Sequence, residues 1–101
     1  MKKVCFFVVL AMVVVAGVFA LTDEQINSAA RMGYLAGYTA SAPNARDSQQ
    51  SYAGTGAANN YADRVNSNRS SLDWKQAYDA YYGGFIQGWN DKKEGKPNRF
   101  F

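Results

Sequence analysis

The sequence of 101 residues contains no histidine and a single cysteine, Cys5. Without histidine, the chain has no imidazole general base, no imidazole metal ligand and no serine or cysteine nucleophile activated by a neighbouring histidine. One cysteine cannot form a disulfide within the chain, and it cannot build a zinc site of several thiolates. We therefore expect neither a metal nor another cofactor.

Carboxylate pairs are the one common catalytic arrangement that these absences leave open. The candidates are Asp23, Asp73, Asp79 and Asp91. Each lies where a helix start or a solvated helix face already explains an acidic residue. Because a chain this short also has little room for a buried cleft, we expect a protein that is not an enzyme.

The first twenty residues have the pattern of a secretory signal peptide. Two lysines precede an apolar run over 4–15, and Val18 and Ala20 fit the −3 and −1 positions of a signal-peptidase site. We predict that residues 1–20 are cleaved and that residues 21–101 are exported to the periplasm or secreted. A retained membrane anchor is the alternative, because the apolar stretch reaches the lower length limit for a spanning helix.

A strong charge of one sign is also missing once the predicted signal is removed. Residues 21–101 carry 9 basic and 8 acidic side chains. The one basic cluster lies at the end of the last predicted helix, where positive charge compensates the helix dipole. Its members are Lys92, Lys93, Lys96 and Arg99. A nucleic-acid-binding domain needs a concentrated basic patch, so we expect no nucleic-acid partner.

Large aliphatic side chains are scarce in the predicted exported chain. Residues 21–101 hold six of them, against twelve aromatic residues and twelve alanines. Aromatic rings can supply most of the buried apolar area of a core, provided that small neighbours leave room for them. We therefore expect a core in which rings pack on small residues.

A sequence repeat at an offset of 51 residues relates residues 21–41 to residues 72–92. The identical pairs are Leu21/Leu72, Gln25/Gln76, Ala29/Ala80, Gly33/Gly84 and Gly37/Gly88. Two copies are fewer than a solenoid needs. The repeat therefore predicts two related helices that pack against each other.

The first of these helices is predicted over residues 22–41. Thr22-x-x-Gln25 is a capping box, in which each side chain can bind the backbone of the other residue. Pro43 disfavours helical geometry at the residue before it, and this ends the helix.

The second helix is predicted over residues 71–94. Ser70-x-x-Asp73 is a weaker cap at its start. Gly95 can adopt the left-handed conformation that commonly ends a helix, which leaves residues 95–101 as a tail.

The segment between the two copies, residues 42–69, is polar and rich in Asn, Ser, Gln, Ala and Gly. Two pieces of it, residues 44–52 and 57–66, can form a helix. We predict one short helix over 57–66, which docks on the rest of the chain through Tyr61 and Val65, four residues apart. A flexible connector is the alternative. The whole pattern predicts one small all-α domain over residues 21–101, either a helical hairpin or a three-helix bundle.

Four glycines occupy matched positions inside the two predicted helices: Gly33, Gly37, Gly84 and Gly88. Each costs about 1 kcal/mol relative to alanine, so a compensating interaction is needed. A spacing of four places each pair on one side of its helix, where another helix can come close. We predict that the two copies pack on each other, with rings of one over glycines of the other.

An aromatic face runs along the same helices. Its residues are Trp74, Tyr78, Tyr81, Tyr82, Phe85 and Trp89 in the second copy, and Tyr34 and Tyr38 in the first. Rings at helical spacing commonly form core, but these are more than the few aliphatic residues can cover, and exposed apolar surface marks binding sites. We predict a non-catalytic protein that binds a protein partner or forms a homo-oligomer through this face.

Activity at a membrane is the alternative function. Small-x-x-x-small spacing also occurs in helix pairs within membranes. Neither predicted helix has the uninterrupted apolar run of a spanning segment, and their polar faces lack the lysines typical of helices that lie on a membrane surface. Binding to a membrane surface is therefore a second hypothesis beside protein binding.

One short segment resembles a known family. Gly84-Phe85-Ile86-Gln87-Gly88-Trp89-Asn90-Asp91 is similar to the Gly-Tyr-Ile-x-Gly-x-x-Asp helix of the small periplasmic immunity proteins that neutralise type VI secretion effectors. The likeness covers about eight residues, and the cysteines that accompany the motif in that family are absent here. It implies a third hypothesis, a periplasmic immunity or inhibitor protein, which would also act by binding a protein.

Overall fold

The computed structural model describes residues 21–100, which form three helices. They are α1 (Asp23–Ala40), α2 (Asp47–Val65) and α3 (Leu72–Lys93), and no strand occurs within residues 21–100. The predicted all-α class is confirmed, and the three-helix alternative is the one observed. The predicted signal peptide over residues 1–20 lies outside the described residues.

The capping box predicted at the start of α1 is confirmed. The Gln25 backbone N–H donates to Thr22 Oγ1 at 3.1 Å, and the Thr22 backbone N–H donates to Gln25 Oε1 at 2.9 Å. Two backbone donors that the helix itself leaves unpaired are thus satisfied by side chains. The helix ends at Ala40, where Ser41 turns to an extended conformation.

The ends of α3 agree with the sequence signals to within one residue. The N-cap is Ser71 rather than Ser70, and its Oγ accepts a hydrogen bond from the Trp74 backbone N–H at 3.3 Å. Gly95 has a φ of 78°. Its N–H donates to the Lys92 carbonyl at 3.1 Å, and the next N–H, that of Lys96, donates to the Asp91 carbonyl at 2.8 Å. This pair of bonds is a Schellman motif, the expected helix ending at glycine.

Helix α2 is the main departure from the sequence-based expectation. The sequence predicts a short helix over 57–66 or a flexible connector, whereas the helix spans Asp47–Val65. Its start has no Ser, Thr, Asn or Asp N-cap, because that position is Arg46, and Gly54 and Gly56 weaken its helix propensity. One local bond caps its start, from the Arg46 backbone N–H to Gln49 Oε1 at 2.9 Å, and contacts with α3 supply the rest of its stabilisation.

The two glycine-bearing helices, α1 and α3, run parallel. Gly33 lies beside Tyr81 and Gly37 beside Phe85, so residue numbers rise together along the pair. Helix α2 runs antiparallel to α3, with Gln50 bonded to Asn90 and Asp63 bonded to Trp74. Helix α2 returns the chain to the end where α1 began. A hairpin of the two glycine helices is therefore wrong, because α2 makes the pair parallel.

Helix α2 packs mainly on α3 and touches α1 little. The core is a cluster in which Ala58 of α2 meets three rings of α3, those of Tyr81, Phe85 and Trp89. The other side of the α1–α3 pair has no third helix among residues 21–100. The fold is thus asymmetric, with one covered and one open side of the parallel pair.

Candidate functional site

The four matched glycines lie where α1 and α3 cross, and each faces the backbone of the opposite helix. A Cβ at Gly33 or Gly37 would overlap the backbone carbonyl of Tyr81 or Phe85. A Cβ at Gly84 or Gly88 would overlap the carbonyl of Ala30 or Tyr34. The glycine Cα–H groups therefore lie against carbonyl oxygens, a weak hydrogen-bonding contact that recurs at close helix crossings.

The glycine contacts of the two helices are equivalent under the sequence repeat. Gly33 of α1 contacts Tyr81 of α3. Gly84, the repeat counterpart of Gly33, contacts Ala30, the repeat counterpart of Tyr81. The contacts of Gly37 and Gly88 are equivalent in the same way. The two helices thus use the same positions on each other, which brings their backbones into direct contact.

The rings of α3 do not lie over the glycines of α1 as expected; two of them lie over a glycine of α2. A Cβ at Gly54 would be 3.0 Å from Phe85 Cδ1 and 3.0 Å from Tyr82 Cε1. Further along α2, Ala58 and Ala62 are fully buried. The aromatic face of α3 therefore packs on a row of small residues of α2 that are four positions apart: Gly54, Ala58 and Ala62.

Half of the predicted interaction face is core. Tyr34, Tyr81, Phe85 and Trp89 are buried, and Tyr38, Trp74, Tyr78 and Tyr82 are partly exposed. The four buried rings offer little surface to a partner, because α2 or the C-terminal tail covers them. Sequence reasoning predicts only the second half of α2, as a short helix over 57–66, because the polar sequence before it gives a weak helix signal.

The partly exposed rings form a ladder along α3. The ring centroids of Trp74 and Tyr78 are 5.2 Å apart, and those of Tyr78 and Tyr82 are 5.8 Å apart, with nearly parallel planes. The Trp74 indole N–H donates to Asp63 Oδ1 at 2.8 Å, and Asp63 also accepts from Arg69. The hydrogen bonds from Arg69 and from Trp74 lower the pKa of Asp63. The ladder is therefore fixed to α2 by polar bonds at one end.

A buried acid, Asp91, holds the C-terminal tail against α1 and α3. Asp91 is 4% exposed. Its Oδ2 accepts a hydrogen bond from the Tyr34 hydroxyl at 2.6 Å and another from Arg99 Nε at 2.9 Å. The bond from Tyr34, and then that from Arg99, lower the pKa of Asp91 against the effect of desolvation. Burial, followed by the bond to Asp91, raises the pKa of Tyr34.

The tail makes further contacts that place Phe100 beside α1. The Tyr38 hydroxyl donates to the Lys96 carbonyl at 2.8 Å. The Phe100 ring meets the Tyr34 ring edge to face, with centroids 5.1 Å apart, and the Arg31 guanidinium lies 5.4 Å from its centroid. Phe100 nevertheless remains 41% exposed. An aromatic side chain is therefore held in a defined place at the surface.

A shallow groove follows the open side of the α1–α3 pair, with a volume of about 500 Å³. We call it the outer groove. Small residues and two rings form its floor: Ala30, Ala80, Gly83, Gly84, Tyr34 and Phe100. Polar side chains form its rim: Asn27, Arg31, Asp79, Gln87 and Arg99. The groove lies between α1 and α3, and no residue of α2 lines it.

The residues of the outer groove are mostly absent from the sequence-predicted site. Only Tyr34 and Gly84 belong to both sets. The adjacent pair Gly83-Gly84 carries a usable signal, because two successive glycines face different sides of a helix. A Cβ at Gly84 would overlap the backbone of α1, whereas one at Gly83 would meet no described atom within 4 Å. Gly83 is therefore not needed for packing within residues 21–100.

The segment that resembles immunity proteins is accounted for by packing. Gly84 and Gly88 contact α1, Phe85 and Trp89 fill the core, and Asp91 holds the tail. Of this segment, Gln87 and Asn90 are exposed to solvent. The motif thus specifies the fold of α3 more directly than it specifies a binding surface.

Comparison with known proteins gives no relative: no family model matches the chain, and no curated protein or solved structure gives a significant match. Within residues 21–100, no three Asp or Glu side chains cluster in a way that could hold a metal ion. None of the three helices is long and apolar enough to span a membrane.

Proposed function

We propose that this is an exported, non-catalytic protein that acts by binding a protein partner through the outer groove. The observation that carries the proposal is the groove itself, a concave surface with a floor of small apolar residues and rings and a polar rim. A protein-binding surface commonly combines an apolar centre with a polar periphery. The open side of the α1–α3 pair has this composition.

The groove is a better candidate than the aromatic face that the sequence suggests. The most apolar part of that face is already buried by α2. In the groove, a Cβ added at Gly83 would meet no described atom beyond the nearby backbone of its own helix. Phe100 is held by Tyr34 and Arg31, while part of its ring stays exposed. A glycine on an open helix face lets another chain approach the backbone closely.

Two finer proposals accompany this one. Residues 1–20 act as a cleaved signal, so the exported chain begins at Leu21. The segments that form α1 and α3 derive from a duplication, which the equivalent contacts of Gly33 and Gly84 support. Cell fractionation followed by N-terminal sequencing tests export; a chain that keeps Met1 in the membrane would overturn cleavage.

A comparative pull-down tests binding. The bait is the tagged chain from Leu21 onward, which contains all three helices, and captured proteins, including untagged copies of the chain, are identified by mass spectrometry. Gly83→Leu fills the groove, whereas Gly56→Leu is the matched control, because Gly56 is also an exposed helical glycine with no described atom near an added Cβ. We expect Gly83→Leu to lose a partner that Gly56→Leu retains.

Equal capture by both variants would contradict the proposal. Leakage of anionic vesicles caused by the wild-type chain, undiminished in Gly83→Leu, would instead favour activity at a membrane. Circular dichroism of both variants shows that any loss of capture is not a loss of folding.

A further inference from the structure

We infer that the partner of the outer groove is a second copy of this chain, in a twofold-symmetric dimer. This inference rests on the proposed function and names its partner. In a twofold dimer, each contact occurs twice, because residue i of one copy meets residue j of the other and the reverse also holds. The surface must therefore be complementary to itself.

The charges on the groove rim meet this requirement. Arg31 lies on α1 and Asp79 on α3, on the two walls of the groove. Both are exposed, and neither has an ion-pair partner within residues 21–100. The third charged rim residue, Arg99, is already bonded to Asp91. Among the described residues, the rim thus offers one positive and one negative side chain that have no ion-pair partner.

A twofold axis that runs along the groove, parallel to α1 and α3, sets α1 of each copy opposite α3 of the other and uses both charges at once. The rotation places Arg31 of one copy opposite Asp79 of the other, and Asp79 of the first opposite Arg31 of the second. A partner with one sign of charge would satisfy only one of the two groups. Self-complementarity of this kind favours a second copy over an acidic or a basic partner.

The groove floor allows the two copies to come close. Gly83 lies on the α3 face that lines the groove, and an added Cβ there would have no described neighbour within 4 Å. A helix with glycine at a crossing allows close backbone approach, as the Gly84 contact with α1 shows within one chain. The exposed part of Phe100 would be covered by the same association.

The net charge of the exported chain does not oppose association. Residues 21–101 carry 9 basic and 8 acidic side chains, so two copies repel each other little over long range. The groove is small, and we therefore expect a weak dimer that forms at micromolar or higher concentration.

Charge reversal tests the dimer directly. In a dimer of Arg31→Glu chains, each of the two symmetric contacts would join two acids, and in a dimer of Asp79→Lys chains each would join two bases. We expect each variant to dimerise about tenfold or more weakly than the wild type in sedimentation experiments, because like charges then face each other.

Mixing the two variants sharpens the test. In a dimer of one Arg31→Glu chain and one Asp79→Lys chain, the introduced glutamate faces the introduced lysine, and the native Asp79 faces the native Arg31. Both contacts then join an acid and a base. We therefore expect an equimolar mixture to recover the wild-type dimer.

Recovery on mixing separates contact between copies from contact within one chain. If Arg31 and Asp79 interact only within a chain, mixing has no effect, and that result would overturn the inference. Gly83→Leu should also abolish the dimer, whereas Gly56→Leu should leave it intact. A wild-type chain that stays monomeric at millimolar concentration overturns the inference as well.

The outcomes also distinguish this inference from the broader proposal. If the wild type is monomeric but Gly83→Leu still loses a different captured protein, the groove binds a different partner and the proposed function survives. If neither self-association nor capture depends on Gly83, both proposals fail.

Discussion

Individual glycines in this protein have different roles, even among those that lie in helices. Gly84 faces the backbone of α1, Gly54 seats two rings, and Gly56 faces solvent. The helix-propensity cost of each is the same, about 1 kcal/mol relative to alanine. What differs is the space around the missing Cβ, and this decides whether substitution stabilises or destabilises the chain.

Gly84→Ala is expected to lower the free energy of unfolding by about 1–3 kcal/mol, because its Cβ would overlap the Ala30 carbonyl and force the helices apart. Gly56→Ala, the matched control, should raise it by about 0.5–1 kcal/mol, since helix propensity improves without a clash. Urea denaturation followed by circular dichroism measures both. Equal effects of the two substitutions would show that α1 and α3 do not meet at Gly84.

A single carboxyl, that of Asp91, should make part of the stability dependent on pH. Its pKa is lowered in the folded chain by the bonds from Tyr34 and Arg99, so the folded state favours the ionised form. The resulting stabilisation is present above the ordinary aspartate pKa of about 4 and is lost as the pH falls through the lowered folded-state pKa.

The measurement is the melting temperature of wild type and Asp91→Asn over the acidic range. We expect the wild type to lose more stability than the variant as the pH falls below about 4. The other lowered aspartates, Asp63 and Asp73, are present in both proteins, so the comparison isolates Asp91. Parallel curves for the two proteins would mean that Asp91 does not hold the tail in solution.

Among the helices, α1 and α3 have stronger boundary signals than α2, whose start has only the bond from the Arg46 backbone N–H to Gln49 Oε1, at 2.9 Å. Thr22 with Gln25 starts α1, and Ser71 and Gly95 bound α3. Helix α2 starts at a position whose own side chain makes no cap bond, and it contains two glycines. Its buried residues are Gly54, Ala58 and Ala62, which are small enough to admit the rings of α3. Tertiary contact therefore decides whether α2 forms.

A peptide of residues 47–65 is accordingly expected to be mostly unfolded in water, because an isolated helix of this length and composition is marginal. In the intact chain, the backbone amides of the same segment should be protected from hydrogen exchange. Circular dichroism of the peptide and exchange measured on the whole chain give the comparison. A strongly helical peptide would show that local propensity, not α3, stabilises α2.

The central feature of the molecule is the parallel pair of α1 and α3, and α2 makes it parallel. The contacts that the α1 glycines make with α3 are equivalent to those that the α3 glycines make with α1. Helix α2 breaks this symmetry, because it covers one side of the pair only. The outer groove lies on the side of the equivalent α1–α3 pair that α2 leaves uncovered.

Gly33→Ala and Gly84→Ala are expected to destabilise the chain by similar amounts, each by about 1–3 kcal/mol, because they occupy equivalent positions at the crossing. The double variant should lose less than the two losses combined, since helices separated by one Cβ leave room for the other. A double-mutant cycle by denaturation measures this coupling. If the two losses in unfolding free energy add exactly, Gly33 and Gly84 lie in contacts that do not influence each other.

The fold class, the ends of α1 and α3 to within one residue, and the absence of histidine chemistry all follow from the amino-acid sequence alone. These features depend on composition and on local patterns: caps, the glycine at the end of α3, and helical spacing of rings and small residues. Much of the aromatic cluster is also readable from sequence, because few aliphatic residues are available to form a core.

The full extent of α2, the parallel direction of α1 and α3, and the burial of half the aromatic face emerge only in three dimensions, because each depends on partners distant in sequence. Gly54 contacts aromatic rings only because α3 packs over it. Asp91 is a buried acid with hydrogen-bond partners only because the fold brings Tyr34 and Arg99 to it. The outer groove likewise exists only because α1 and α3, which are distant in sequence, lie side by side with no third helix of residues 21–100 over that side.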